Sequence, residues 1–112
     1  MPHCVVEHST NFDSDLLVHT VFSGAVNSGL FEADGRDIKV RALSYSSYLN
    51  GATKADFIHV TLKILSGRTP EQKSHLANAV LEELVALNYS ALSITIAVED
   101  MDRDSYRKVV TE

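Results

Sequence analysis

The stretch from Phe57 to Glu99 constrains the fold more than any other part of the chain, because it reads as strand, helix and strand in unbroken order. Between Phe57 and Ile64 the side chains alternate. Ile58, Val60, Leu62 and Ile64 share one face and Phe57, His59, Thr61 and Lys63 the other, the pattern of a half-buried strand. Ser66-Gly67-Arg68 turns the chain. Thr69-Pro70-Glu71-Gln72 then offers an N-cap, a proline at the first helical position and a glutamine placed to complete a capping box. Leu76, Ala77, Val80, Leu81, Leu84 and Leu87 recur at helical spacing, opposite Lys73, Glu82 and Glu83, so a helix is predicted that ends at Asn88 or Tyr89. From Ser93 to Glu99 the alternation returns, with Ile94, Ile96 and Val98 facing the same core.

The first half repeats this order more softly. At an offset of 56, half of the 112 residues, His3 falls on His59, Asp13 on Thr69, His19 on His75, and Ile38 and Val40 on Ile94 and Ile96. A strand is predicted over His3 to Glu7, an Asp13-capped helix through about Asn27 with Gly29 as its stop, and a strand from Ile38 to about Tyr45. Ser46 to Ala55, containing Asn50-Gly51, is a turn-bearing linker. The expectation is one domain over 1–112 made of half-repeats about 1–56 and 57–112. Its class is α+β, a duplicated β-α-β unit with a mixed sheet and both helices on one face. The other face, carrying Phe57, Thr61, Thr95 and Ala97, then lacks cover, so self-assembly around it is expected. Met101 to Glu112 is a polar tail, either a short helix or an arm on a neighbouring subunit.

Composition narrows the partners. Hydrophobic content of 45% and charged content of 22% belong to an ordinary globular chain. A formal charge of −5 argues against nucleic acid, whose binders need cations to displace phosphate counterions. No stretch approaches the roughly 18 apolar residues of a membrane span, and no charged leader precedes an apolar run, so no membrane association is expected. The lone Cys4 has no internal disulfide partner, which fits a reducing cytoplasm.

Several side chains could carry chemistry. Pro2 follows Met1 directly; removal of that methionine would expose a secondary amine, a base in the working range once cations or burial favour its neutral form. Its plain alternative is a proline that opens an edge strand, where no ladder N–H is required. Strand alternation sets Lys39 and Arg41 on one face, opposite Ile38 and Val40. They are either a solvated face or an anion site in which a guanidinium grips a carboxylate and an ammonium acts as a point charge. Arg68, in the turn before Thr69, is either a loop arginine or a further anion contact. Cys4 and His8 share a strand face, but no compact ligand pair supports a metal site. No nucleophile motif, glycine-rich phosphate loop or dinucleotide fingerprint occurs.

Met1-Pro2-His3 with Glu7, the block Phe57-Ile58-His59-Val60-Thr61-Leu62-Lys63-Ile64, and Gly67-Arg68 together resemble the 5-carboxymethyl-2-hydroxymuconate isomerases of the tautomerase superfamily. The resemblance spans most of the chain. It implies duplicated βαβ subunits forming a homotrimer, sheets inward and helices outward, with the amino-terminal proline as a cofactor-free catalytic base. Where that family shows an Ile-Arg-x-Arg pattern, this chain reads Ile38-Lys39-Val40-Arg41, which keeps the charge and gives up the bidentate fork at the first position. The implied activity is isomerisation of an unsaturated anionic 2-hydroxy acid, with Pro2 moving the proton and Lys39, Arg41 and Arg68 holding substrate. A keto-enol tautomerase of arylpyruvate-like acids, and a non-catalytic binding protein on a ferredoxin-like scaffold, are the alternatives.

Overall fold

Two side-chain caps start the helices at matching places in the two halves. The computed structural model, which describes residues 1–112, has the Asp13 carboxylate accepting from the backbone N–H of Asp15 at 3.0 Å and of Leu16 at 3.4 Å. That cap opens helix α1, Ser14–Asn27. Fifty-six positions on, the Thr69 hydroxyl accepts from Gln72 N at 3.1 Å while the Gln72 side chain takes Thr69 N–H at 2.9 Å. This reciprocal pair opens helix α2, Pro70–Val85, with proline where no intrahelical donor is needed. Gly29, at φ +72°, turns the chain out of α1 as expected. α2 stops three residues before Asn88. Asn88 is itself the breaker, since it sits at φ +60° with its N–H on the Val85 carbonyl at 2.9 Å, and the regular turns have already closed behind it.

Four strands complete the order: β1 His3–Ser9, β2 Lys39–Tyr45, β3 Asp56–Leu65 and β4 Leu92–Met101. They lie as β2-β1-β3-β4 in one sheet. Each half contributes a parallel pair, β1 with β2 and β3 with β4, and the halves meet through the antiparallel pair β1–β3. The sheet is therefore mixed, with crossover helices covering one face.

That face is the core. Cys4, Val6, Ile58, Val60, Leu62 and Ile64 from the sheet meet Leu17, Val21 and Ala25 of α1 and Leu76, Val80 and Leu84 of α2, all at 1% exposure or less. Each fully buried Leu or Ile contributes roughly 1.5–3 kcal/mol by leaving water. His8 also points inward, and it is fully satisfied. Its Nδ1 faces the Ser9 carbonyl at 2.7 Å and so carries the proton, leaving Nε2 to accept from the Ser14 hydroxyl at 2.8 Å. Cys4, four residues back on the same inward face of β1, is an inert thiol, pushed up to about 12 by burial.

No helix covers the opposite face. Register alone sets its rows: Lys39, His3, Lys63 and Glu99 lie side by side, then Arg41, Val5, Thr61 and Ala97, then Leu43, Glu7, His59 and Thr95. Beyond β4 the tail makes a single turn, with Ser105 and Tyr106 N–H on the Asp102 carbonyl, and then runs on without helix. One turn is too short to propagate. The tail folds back far enough to set the Tyr106 hydroxyl 2.9 Å from His3 Nε2. No helix of the chain is long and apolar enough to cross a membrane.

Candidate active site

Pro2 stands at the open end of the parallel pair formed by β1 and β2. Its carbonyl accepts from Lys39 N at 3.0 Å and its ring is fully buried, so the backbone at this point is pinned. The loop that leads from α1 to β2 bends over the same end, and the amine of Met1 donates to its Asp37 carbonyl. Together they leave a cleft of roughly 470 Å³, lined by Met1, Leu30, Phe31, Asp37, Arg68 and Arg103 among others.

Each cationic wall has its own anchor. Arg68 comes from the turn after β3; its Nη2 donates to the Leu30 carbonyl at 2.6 Å and its guanidinium lies 5.8 Å from the Phe31 ring centroid. Arg103 comes from the turn after β4, with Nε on the Ser66 carbonyl at 3.0 Å and its main-chain N–H on the Ser66 hydroxyl at 3.2 Å. Lys39, the first residue of β2, reaches the Asp37 carbonyl at 3.5 Å. The Met1 amine is accordingly held down from 8.0 to about 6. Burial is the main cause, followed by the bond and charge of Lys39, with Asp37 opposing.

The expected site residues thus fall into two groups. Pro2, Lys39 and Arg68 converge on one end of the sheet. Arg41 projects from the exposed sheet face, where its Nη1 donates to His3 Nδ1 at 3.2 Å. An arginine only donates, so His3 Nδ1 is unprotonated and Nε2–H donates to Tyr106. His3 is held below its usual range, first by burial and then by Arg41, Lys39, the amino terminus and Lys63, which marks this corner as positive in a chain of net charge −5. Glu7, further along the same face, accepts from the Tyr45 hydroxyl at 2.5 Å, a bond that raises the tyrosine. Arg103, Asp37 and Tyr106 are not legible as site residues from local pattern. Arg103 and Tyr106 belong to the polar tail, and only the fold-back of that tail brings them here.

The arrangement offers an amine held neutral and two guanidiniums around one opening, with the Lys39 ammonium beside the amine and no thiol or hydroxyl nucleophile in the lining. Such a group of residues can hold an anion and move a proton. A family model described as 5-carboxymethyl-2-hydroxymuconate isomerase matches residues 2–108. Among solved structures, the chain is similar to a 5-carboxymethyl-2-hydroxymuconate isomerase from Deinococcus radiodurans R1, at 20% identity and TM-score 0.77, covering 98% of this chain and 90% of that one. A 5-carboxymethyl-2-hydroxymuconate delta-isomerase matches at 13% identity and TM-score 0.72, covering 99% and 89%. A fused 4-OT symmetric trimer matches at 17% identity and TM-score 0.73, covering 90% and 86%. No curated protein sequence matches the chain.

Proposed function

The chain belongs to the 5-carboxymethyl-2-hydroxymuconate isomerase family, and from that premise we propose that it is a cofactor-independent isomerase of unsaturated anionic 2-hydroxy acids, 5-carboxymethyl-2-hydroxymuconate among them, with the Pro2 amine as base. The family makes it an isomerase; the substrate and the base are the proposal. Once Met1 is removed, the Pro2 nitrogen takes the proton of the dienol hydroxyl. The O–H electron pair becomes the carbonyl bond, the conjugated double bond shifts, and the same nitrogen returns the proton to carbon. Atoms and electrons balance without any redox partner. Lys39 and Arg68 hold carboxylate and stabilise the developing oxyanion, where preorganised charge counts most. Burial first, and Lys39 after it, hold the amino terminus at this corner toward its neutral form.

Arg41, one step further along the sheet face from Lys39, does not line this cleft, so in this reading it serves substrate across a subunit boundary, in a homotrimer assembled on the uncovered sheet faces. What supports the whole reading is one observation: the Met1 amine, one residue before the proposed base, is already held at about 6 and opens onto the cleft that Arg68 lines, with Lys39 beside it. Intact mass of the native protein, combined with an ultraviolet assay on a 2-hydroxymuconate-type substrate, tests it. Mass without Met1, and a loss of about 10²- to 10⁴-fold in kcat on Pro2→Ala, are expected for a general base. Undiminished turnover by Pro2→Ala, or full activity with Met1 retained, overturns it.

A further inference from the structure

We infer that Arg103 is a specificity-determining residue, holding the second carboxylate of a dicarboxylate substrate whose first is held by Arg68. The inference rests on the proposed isomerase reading and names its substrate class. Arg68 and Arg103 enter the cleft from different turns, one after β3 and one after β4. Neither has a carboxylate within ion-pair distance: the ion pairs of the chain are Arg36 with Glu32 and Asp34, and Lys73 with Asp100. Two free guanidiniums on one cleft are unexpected in a chain with 15 acidic and 10 basic residues. The acidic side chains at the rim are engaged elsewhere, Glu32 with Arg36 at 3.5 Å and Asp37 Oδ1 with the backbone N–H of Glu32 at 3.3 Å.

Arg103 is also unusually fixed for a surface arginine. Its Nε and main-chain N–H are both tied to Ser66, and its guanidinium lies along the turn so closely that a Cβ on Gly67 would stand 3.7 Å from Nη2. With Nε committed to Ser66, both Nη groups keep donors for a bidentate carboxylate. Arg68 has one donor spent on Leu30 and others left. Two separately anchored forks fit two carboxylates, and a monocarboxylate leaves one of them empty. Because a carboxylate remote from the reacting atoms is bound alike in ground and transition states, its loss appears in KM more than in kcat.

The test compares wild type, Arg103→Gln and Arg103→Lys on a dicarboxylate dienol and a monocarboxylate enol of equal length, with adipate and hexanoate as binding probes by titration calorimetry on the full chain. Arg103→Gln is expected to raise the dicarboxylate KM and the adipate Kd by about 10- to 100-fold, the range for a lost charge-assisted bond. The kcat, the monocarboxylate KM and the hexanoate Kd stay within about twofold, and Arg103→Lys recovers part of the loss as a point charge. Equal effects on both substrates, or none, overturn the inference and leave the isomerase reading standing. If wild type turns over neither substrate while Arg103→Gln still weakens adipate selectively, the base reading fails and the two-carboxylate site holds.

Discussion

Lys39 Nζ donates to the main-chain oxygen of Asp37 at 3.5 Å, the same oxygen that takes the amine of Met1. Two groups able to carry positive charge share one acceptor, and the amine is held at about 6 in place of 8.0. Between those values the folded chain binds fewer protons than the unfolded one. Stability therefore rises as pH goes from 6 to 8, levels off above, and is lost as pH falls through the window. Lys39→Met removes the second-largest cause and leaves burial, the largest. The amine titration, followed by NMR of a labelled terminus, should move part of the way back toward 8.0. In processed protein the acid limb of kcat/KM should move to higher pH with it. An unmoved titration would assign the whole depression to burial.

A second consequence concerns the tail. His3 Nδ1 accepts from Arg41 while Nε2–H donates to the Tyr106 oxygen, so one imidazole joins β2 to the segment after β4. Tyr106→Phe keeps the edge-on ring contact, centroids 6.0 Å apart, and removes only the acceptor. The expected cost is about 0.5–1 kcal/mol, because a half-exposed N–H regains water. Amide exchange at Ser105 and Tyr106, whose N–H groups sit on the Asp102 carbonyl, should quicken while that of β1 stays unchanged. Acidification should act differently in wild type, since a protonated Nδ1 can no longer accept from Arg41 while Nε2–H still donates to Tyr106. Tail exchange indifferent to Tyr106→Phe would show that His3 does not hold it.

These relationships separate what local pattern reveals from what only tertiary structure supplies. The faces of β3 are legible because period-two alternation leaves Ile58, Val60, Leu62 and Ile64 no other way to share a core. Both helix starts are legible because Asp13 and Thr69 are caps whose chemistry acts within three residues. The pairing of His3 with Lys63 has no such signal, since it joins the two halves antiparallel through residues sixty positions apart. Pro2, Lys39 and Arg68 are single out-of-pattern residues that sequence can nominate, each beside a plain alternative. Arg103 resembles any tail arginine until Ser66 is seen to fix it.

The capping box allows a sharper measurement. Thr69→Ala removes the acceptor for Gln72 N–H, and Gln72→Ala removes the acceptor for Thr69 N–H. Each should cost about 1 kcal/mol in urea unfolding. Either change frays the first turn on which the other bond depends, so the double variant should lose less than the sum, with a coupling of about 0.5 kcal/mol or more. Strict additivity would mean that the two bonds form independently and that Pro70 alone sets the first turn.

Gly24 reports how closely the helices pack. It is buried where α1 meets α2, and a Cβ on it would fall 2.7 Å from Val80 Cα and 3.1 Å from the Ala79 carbonyl oxygen. Two effects oppose each other in Gly24→Ala. Alanine in a helix interior gains about 1 kcal/mol over glycine. Overpacking costs about 1–3 kcal/mol, and here the obstacles are backbone atoms, so the helices must separate and loosen Val21 and Val80 in the core. The second effect should win, lowering the urea midpoint at unchanged m and dropping Tm by roughly 4–8 °C for each kcal/mol lost. Adding Val80→Ala should not rescue it, because the clash is with Cα and not with the valine methyls. A Gly24→Ala chain as stable as wild type, or one rescued by trimming Val80, would mean that this crossing has slack the 2.7 Å approach denies.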